Sequence, residues 1–186
     1  MIKRQPSVIE WRQKNDQLIA FEDGQSLDLP ENSMAQVDSS HAVIIGLGSG
    51  FLLEKLLIAY PTVEFTVIEC RESLVSRFSR KYESVNFILI ESIDDLESHP
   101  QVRMLQAAST QKILNDQALG SQKSFLQEVF WHLNLRTARS LQTYFQIEKP
   151  IDDRWLINAK QLLEVTTPDQ LPYKLSEVLV IKELVK

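Results

Sequence analysis

The chain has 186 residues, 44% hydrophobic and 24% charged, a net charge of −5 and a pI near 5.3. That length holds one domain with a core of its own, and the acidic balance argues against nucleic acid or an anionic membrane as the main partner. The single cysteine, Cys70, excludes an intrachain disulfide and points to a reducing, cytoplasmic setting. No apolar segment follows the basic residues of "MIKRQ", so no secretory signal is expected, and no run of 18 apolar residues offers a membrane span.

In chain order, "VIEWR" (8–12) and "QLIAFE" (17–22) read as short strands joined by a turn at Asn15-Asp16. Asp23-Gly24 marks a second turn before the alternating "QSLDLP", giving a small β-meander. The polar stretch 30–40 reads as a linker. Beyond it "HAVIIG" (41–46) is a continuous apolar run of the kind buried on both faces of a parallel sheet. "FLLEKLLIAY" (51–60) reads as a helix ending at Pro61, and "VEFTVIE" (63–69) as a second buried strand. "RESLVSRFSRKY" (71–82) reads as an amphipathic helix and "VNFILIE" (85–91) as a third strand. Asp94 and Asp95 fit a helix cap, and "VRMLQAA" (102–108) reads as a weaker fourth strand.

Strands alternating with helices predict βαβ units and a parallel sheet. After about residue 110 the pattern predicts helices only, one on Phe125, Leu126, Val129, Phe130 and Leu133. A second falls on Trp155, Leu156, Ala159, Leu162 and Leu163, and a strand-like run returns at Val178–Ile181. The expected architecture is therefore an α/β, Rossmann-like sheet with an N-terminal β-meander (1–40), a glycine-turn core (41–110) and a helical C-terminal part (111–186).

Three of the five glycines, Gly46, Gly48 and Gly50, fall in "VIIGLGSGFLLEKLL". A strand that enters a helix through glycines presents free N–H groups and a partial positive charge, and lets ligand atoms approach the backbone. The dinucleotide fingerprint needs a glycine at 51, where Phe51 stands, and the Gly-Lys-Ser/Thr of a P-loop is absent. The remaining G-x-G-x-G resembles the first motif of class I methyltransferase-like folds, including spermidine synthases. That resemblance implies S-adenosylmethionine or a related nucleotide as ligand. Glu69, ending the second strand, is placed to accept two ribose hydroxyls, and Glu91, ending the third, to meet an adenine ring. Each also reads as an ordinary solvated acid.

Catalytic groups are not evident. Methyl or aminopropyl transfer needs a base or polar clamp for its acceptor. The region after the expected fourth strand, "VRMLQAASTQK", offers only Ser109 and Thr110. His41, His99 and His132 lack metal-ligand spacing. No catalytic residue and no metal ligand is assigned.

At "VIIGLGSGFLLEKLL" and "YPTVEFTVIE" the chain resembles the N-terminal domain of motility accessory factor proteins, which are tied to flagellin glycosylation with nonulosonic sugars in bacteria. The positions carrying the resemblance are Gly46, Gly48, Gly50, Phe51 and Glu69, with looser matches at Phe145, Trp155 and Asn158. Members of that family continue into a second Rossmann-like domain thought to carry the transferase activity. The resemblance thus implies a domain that is inactive alone and works with a protein partner or a second transferase domain. Three readings stay open: a non-catalytic partner-recognition or nucleotide-binding module, an S-adenosylmethionine-dependent transferase, and a structural module forming a homo-oligomer.

Overall fold

A computed structural model describes residues 4–28 and 35–134. Contacts divide the chain into two compact units, Met1–Phe130 and Trp131–Lys186. The expectations at Phe145, at the helix bearing Trp155 and Asn158, and at the strand of Val178–Ile181 lie outside the described residues. So does the first part of the linker, 30–34.

The meander forms as the sequence predicts. Strands β1 (Ile9–Lys14), β2 (Gln17–Glu22) and β3 (Gln25–Ser26) pair antiparallel in the order β1-β2-β3. Both hairpins turn on two consecutive left-handed residues, Asn15-Asp16 and Asp23-Gly24. Such turns match the natural twist of the strands they join.

A second sheet is parallel and four-stranded, in the order β6-β5-β4-β7. Its members are β4 (His41–Ile45), β5 (Glu64–Glu69), β6 (Asn86–Leu89) and β7 (Thr110–Leu114). Strand β4 lies inside the sheet between β5 and β7, with Ile45 opposite both Ile68 and Leu114. Its side chains are buried on both faces, which is why 41–46 shows no alternation.

The helices α1 (Phe51–Ala59) and α2 (Glu72–Ser79) carry the chain from β4 to β5 and from β5 to β6. Their Leu52, Leu53, Leu56, Leu74 and Phe78 share one core with Ala42, Ile44, Phe65, Val67 and Ile113 of the sheet. Ala20 and Leu27 of the meander join the same core. The connection from β6 to β7 passes to the other side of β4, so right-handed crossover puts it on the opposite face. It contains α3 (Ile93–Ser98) and α4 (Val102–Gln106). The cap of α3 is Ser92, in a reciprocal box with Asp95 at the third helical position, so Asp94 and Asp95, expected as caps, lie inside the first turn instead.

Two expectations are corrected here. The stretch 102–108 holds the helix Val102–Gln106 rather than the fourth strand, and that strand is Thr110–Leu114, where strands were expected to have ended. Among the described residues β7 stands at the end of the sheet, and only two of its five residues are buried, so it lacks the apolar signature of β4 and β5. After it come two short 3₁₀ turns, Asp116–Ala118 and Gly120–Gln122, and the helix α5 (Lys123–Leu133). In α5, Phe125, Leu126, Val129 and Leu133 are all buried, as their helical spacing predicts.

Candidate functional site

The site expected from the sequence is the crevice at the carboxyl ends of β4 and its two neighbours. In an open α/β sheet ligands bind there, where the strand order reverses. The glycine turn occupies that position. Gly46, Gly48 and Gly50 have φ of 88°, 59° and 85°, a region that side chains other than glycine rarely enter. The Gly46 N–H donates to Ile68 O (3.0 Å), and Asn115 N donates to Ile45 O (2.9 Å), so the turn emerges between β5 and β7.

What faces the turn is protein. Residues Gly46 to Gly50 are all buried. Asp28, just beyond β3, is a residue 5% exposed, and its Oδ1 accepts the Ser49 N–H just ahead of α1 at 2.6 Å. The Ser49 Oγ in turn accepts the Ala20 N–H of β2 at 2.8 Å. A carboxylate is the natural partner of a helix N-terminus with unpaired donors, and Gly50 at the cap position supplies no side-chain bond of its own. Burial raises the Asp28 pKa above its ordinary 3.8. The hydroxyl and N–H of Ser49 and the N–H of Phe51 work against that rise, whereas the Glu54 charge adds to it.

Close packing explains the glycines. A Cβ at Gly48 would stand 2.8 Å from both the Asp28 carboxylate and the Ala118 methyl, and one at Gly50 would overlap the Phe78 ring. At Gly46 a Cβ would touch Asn115 O, Ala118 and Leu119 at 3.5–3.6 Å. The room that glycine opens here is taken by the meander on one side and the 3₁₀ turns after β7 on the other.

Glu69 stands at the end of β5 as the spacing predicts, but it is fully buried and its carboxylate is engaged by the protein. Oε2 accepts Leu47 N–H at 2.8 Å, and Oε1 accepts Cys70 N–H at 2.7 Å and Arg71 N–H at 3.2 Å. Arg71 Nη1 lies 3.1 Å from both oxygens. The same guanidinium binds Glu22 of β2 through Nε (3.0 Å) and Nη2 (3.1 Å), and Nη2 also donates to Leu119 O at 2.6 Å. All three side chains are at most 3% exposed. One cation thus ties the meander, the end of β5 and the segment after β7 into a single buried network.

Two carboxylates share that one cation, and further donors come mainly from the backbone, including Ser121 N–H to Glu22 at 2.8 Å. Burial alone would raise the Glu22 pKa. Hydrogen bonds from Arg71 and Ser7, the Arg71 charge and the Ser121 N–H outweigh it and hold Glu22 at about 2. Gly120 (φ 50°) completes the closure, since a Cβ there would collide with Glu22 and Leu27.

Glu91 is brought to none of this. It is exposed, pairs with Arg4, and its N–H donates to Asp95 Oδ2 at 2.9 Å. Of the two polar residues singled out near the fourth strand, Thr110 is buried and donates its hydroxyl to Met104 O at 2.8 Å. Cys70 is buried too, and burial, then the Glu69 charge, push its thiol far above the ordinary range, which keeps it protonated and inert. Among the described residues no three His, Cys, Asp or Glu side chains cluster as a metal site, and no helix is long and apolar enough to cross a membrane.

Sequence reasoning missed Asp28, Glu22, Arg71 and Gly120, the residues that close the crevice. Arg71, two residues after Glu69, was the one local signal, because a cation at that spacing from a strand-end acid can fold back on it. Fold and site together define a mixed α/β protein with a four-stranded parallel sheet, whose glycine turn is engaged by its own chain. No protein-family model, curated protein or solved structure matches the sequence.

Proposed function

We propose that this chain is a non-catalytic Rossmann-like module, related to the class I methyltransferase-like fold, that acts by recognising a partner protein. The observation that carries this reading is the buried Asp28 carboxylate, whose Oδ1 accepts the Ser49 N–H just ahead of α1, where a nucleotide ligand would place its anionic or polar group. The engagement of Glu69 supports it, because the acceptor a ribose would need already takes three N–H bonds and Arg71. The turn holds the N-terminal meander against the sheet, and surfaces elsewhere on the domain are left to do the recognising. The resemblance to the N-terminal domain of motility accessory factor proteins suggests protein glycosylation as the setting.

Calorimetric titration of the pure protein with S-adenosylmethionine and with CMP-activated sugars tests this. The expected outcome is no binding heat at millimolar ligand and no turnover of labelled S-adenosylmethionine. Saturable 1:1 binding together with multiple turnovers would overturn the proposal and install the transferase reading.

A further inference from the structure

On the outer side of the meander a groove of about 260 Å³ opens between the β1–β2 hairpin and the helices α1 and α2. Its apolar wall comprises Trp11, Leu18 and Phe51, and its charges are Glu54, Arg77 and Lys81. Leu18 is an exposed large apolar residue. The Trp11 ring is half-buried and fixed against Phe78, with centroids 6.1 Å apart.

The charges are unequal in their engagement. Glu54 is already shared, since its Oε1 accepts both Lys81 Nζ and Tyr82 OH at 2.7 Å. Arg77 lies with its guanidinium carbon 4.3 Å from the centre of the Trp11 ring, and among the described residues it has no acid within ion-pair distance. The groove therefore carries one uncompensated positive charge, on a chain whose net charge is −5.

We infer that this groove is the recognition site for an acidic peptide segment of a partner protein, which inserts one apolar or aromatic side chain and sets a neighbouring carboxylate on Arg77. Three arguments converge on that occupant. A guanidinium stacked on an indole keeps its N–H edge free and held in place, the arrangement that favours a planar carboxylate. The volume is below the range of about 300–1,000 Å³ usual for small-molecule sites and suits a single side chain with its acid. Tryptophan and arginine are residue types that dominate binding energy at protein interfaces, and Trp11 and Arg77 line this groove together. The inference rests on the partner-recognition reading and names the chemistry of its partner.

The test uses the full chain and a fluorescein-labelled peptide of sequence Glu-Glu-Leu-Phe-Glu-Glu, followed by fluorescence anisotropy. A peptide with glutamine at every glutamate position is the control. The acidic peptide is expected to bind, to weaken as salt is raised, and to lose about tenfold in affinity with Arg77→Gln. Arg77 is exposed, so the variant keeps the fold, which circular dichroism verifies. Leu18→Ser is expected to weaken binding by several-fold without changing its salt dependence. Equal affinity for the two peptides, or an Arg77→Gln variant that binds as the parent does, overturns the inference. So does a chain that self-associates in sedimentation through a contact abolished by Arg77→Gln, because the occupant is then a second copy. S-adenosylmethionine titration on the same samples separates the two proposals. Peptide binding lost at Arg77 together with cofactor turnover refutes only the non-catalytic reading, and absence of both refutes only the groove.

Discussion

Replacing Arg71 by methionine tests whether the buried network closes the crevice. Methionine keeps the length and apolar volume of the arginine stem but removes both bonds to Glu22, both to Glu69 and the one to Leu119 O. Two carboxylates, each at most 1% exposed, are left without their cation. Breaking a buried pair by deleting one partner costs about 3–5 kcal/mol, a large part of the roughly 5–15 kcal/mol that holds a domain folded. The pH dependence is the sharper signature. In the parent, Glu22 sits at about 2 instead of 4.5, so its contribution of about 3 kcal/mol is fully present above pH 4.5 and is lost as pH falls towards 2. In Arg71→Met, burial acts on Glu22 without its main opposing interactions. Its pKa then rises, and stability falls as pH increases through and above 4.5. The deficit of the variant is therefore greatest at neutral pH and shrinks towards pH 4. Urea unfolding followed by circular dichroism at pH 7 and pH 4 measures it. A loss under about 1 kcal/mol at pH 7, or a deficit that is the same at both pH values, would refute the reasoning.

Gly50→Ala is expected to destabilise by at least about 2 kcal/mol, because its φ of 85° strains any side chain and the new methyl overlaps Phe78. Gly24→Ala, with φ 80° but open space around it, should cost only about 1 kcal/mol in the same denaturation assay; equal losses would mean that packing around the turn is looser than described. For Asp28 the raised pKa sets the opposite sign to Glu22: ionisation of a buried acid removes stability as pH rises above 3.8. Asp28→Asn keeps an oxygen for the Ser49 N–H and should match or exceed the parent in thermal stability at pH 7, losing that advantage at pH 4. Melting curves across this range check it.

Much of the fold was legible because it rests on local patterning. β4 and β5 declare themselves as uninterrupted apolar runs since both their faces are buried, and the two hairpins are written in Asn15-Asp16 and Asp23-Gly24. β7 escaped for a physical reason. Its Gln111 and Lys112 meet loop carbonyls, Gln36 O and Ala107 O, instead of the core, so the strand looks polar. Val102–Gln106 looked like a strand because a five-residue helix has too few turns to establish a period. Glycine spacing likewise located the strand-to-helix turn at Gly46, Gly48 and Gly50. It did not tell what fills the turn, because that is decided by partners far away in the chain. Asp28 lies 21 residues from Ser49, Glu22 49 from Arg71, and Leu119 48 from Arg71.

A glycine turn at a helix N-terminus is an electrostatic opportunity rather than a commitment to nucleotide. Its donors favour any anion that reaches them, and a carboxylate on the same chain competes with a diffusing ligand at the effective concentration its tether sets, commonly millimolar for short flexible links. Here the tether is tighter than that. Asp28 follows a strand whose neighbour is bonded to the turn itself through Ala20 and Ser49, and Leu27 is locked in the core beside it. A ligand entering the crevice would have to displace the Asp28 carboxylate, shift Ala118 and Leu119, and compete with Arg71 for Glu69. These losses are coupled, because Glu22, Arg71 and Leu119 O belong to one network. Opening the site therefore amounts to undocking the meander from the sheet. The features that mark a nucleotide site in the sequence are, in this chain, the features that hold its two sheets together.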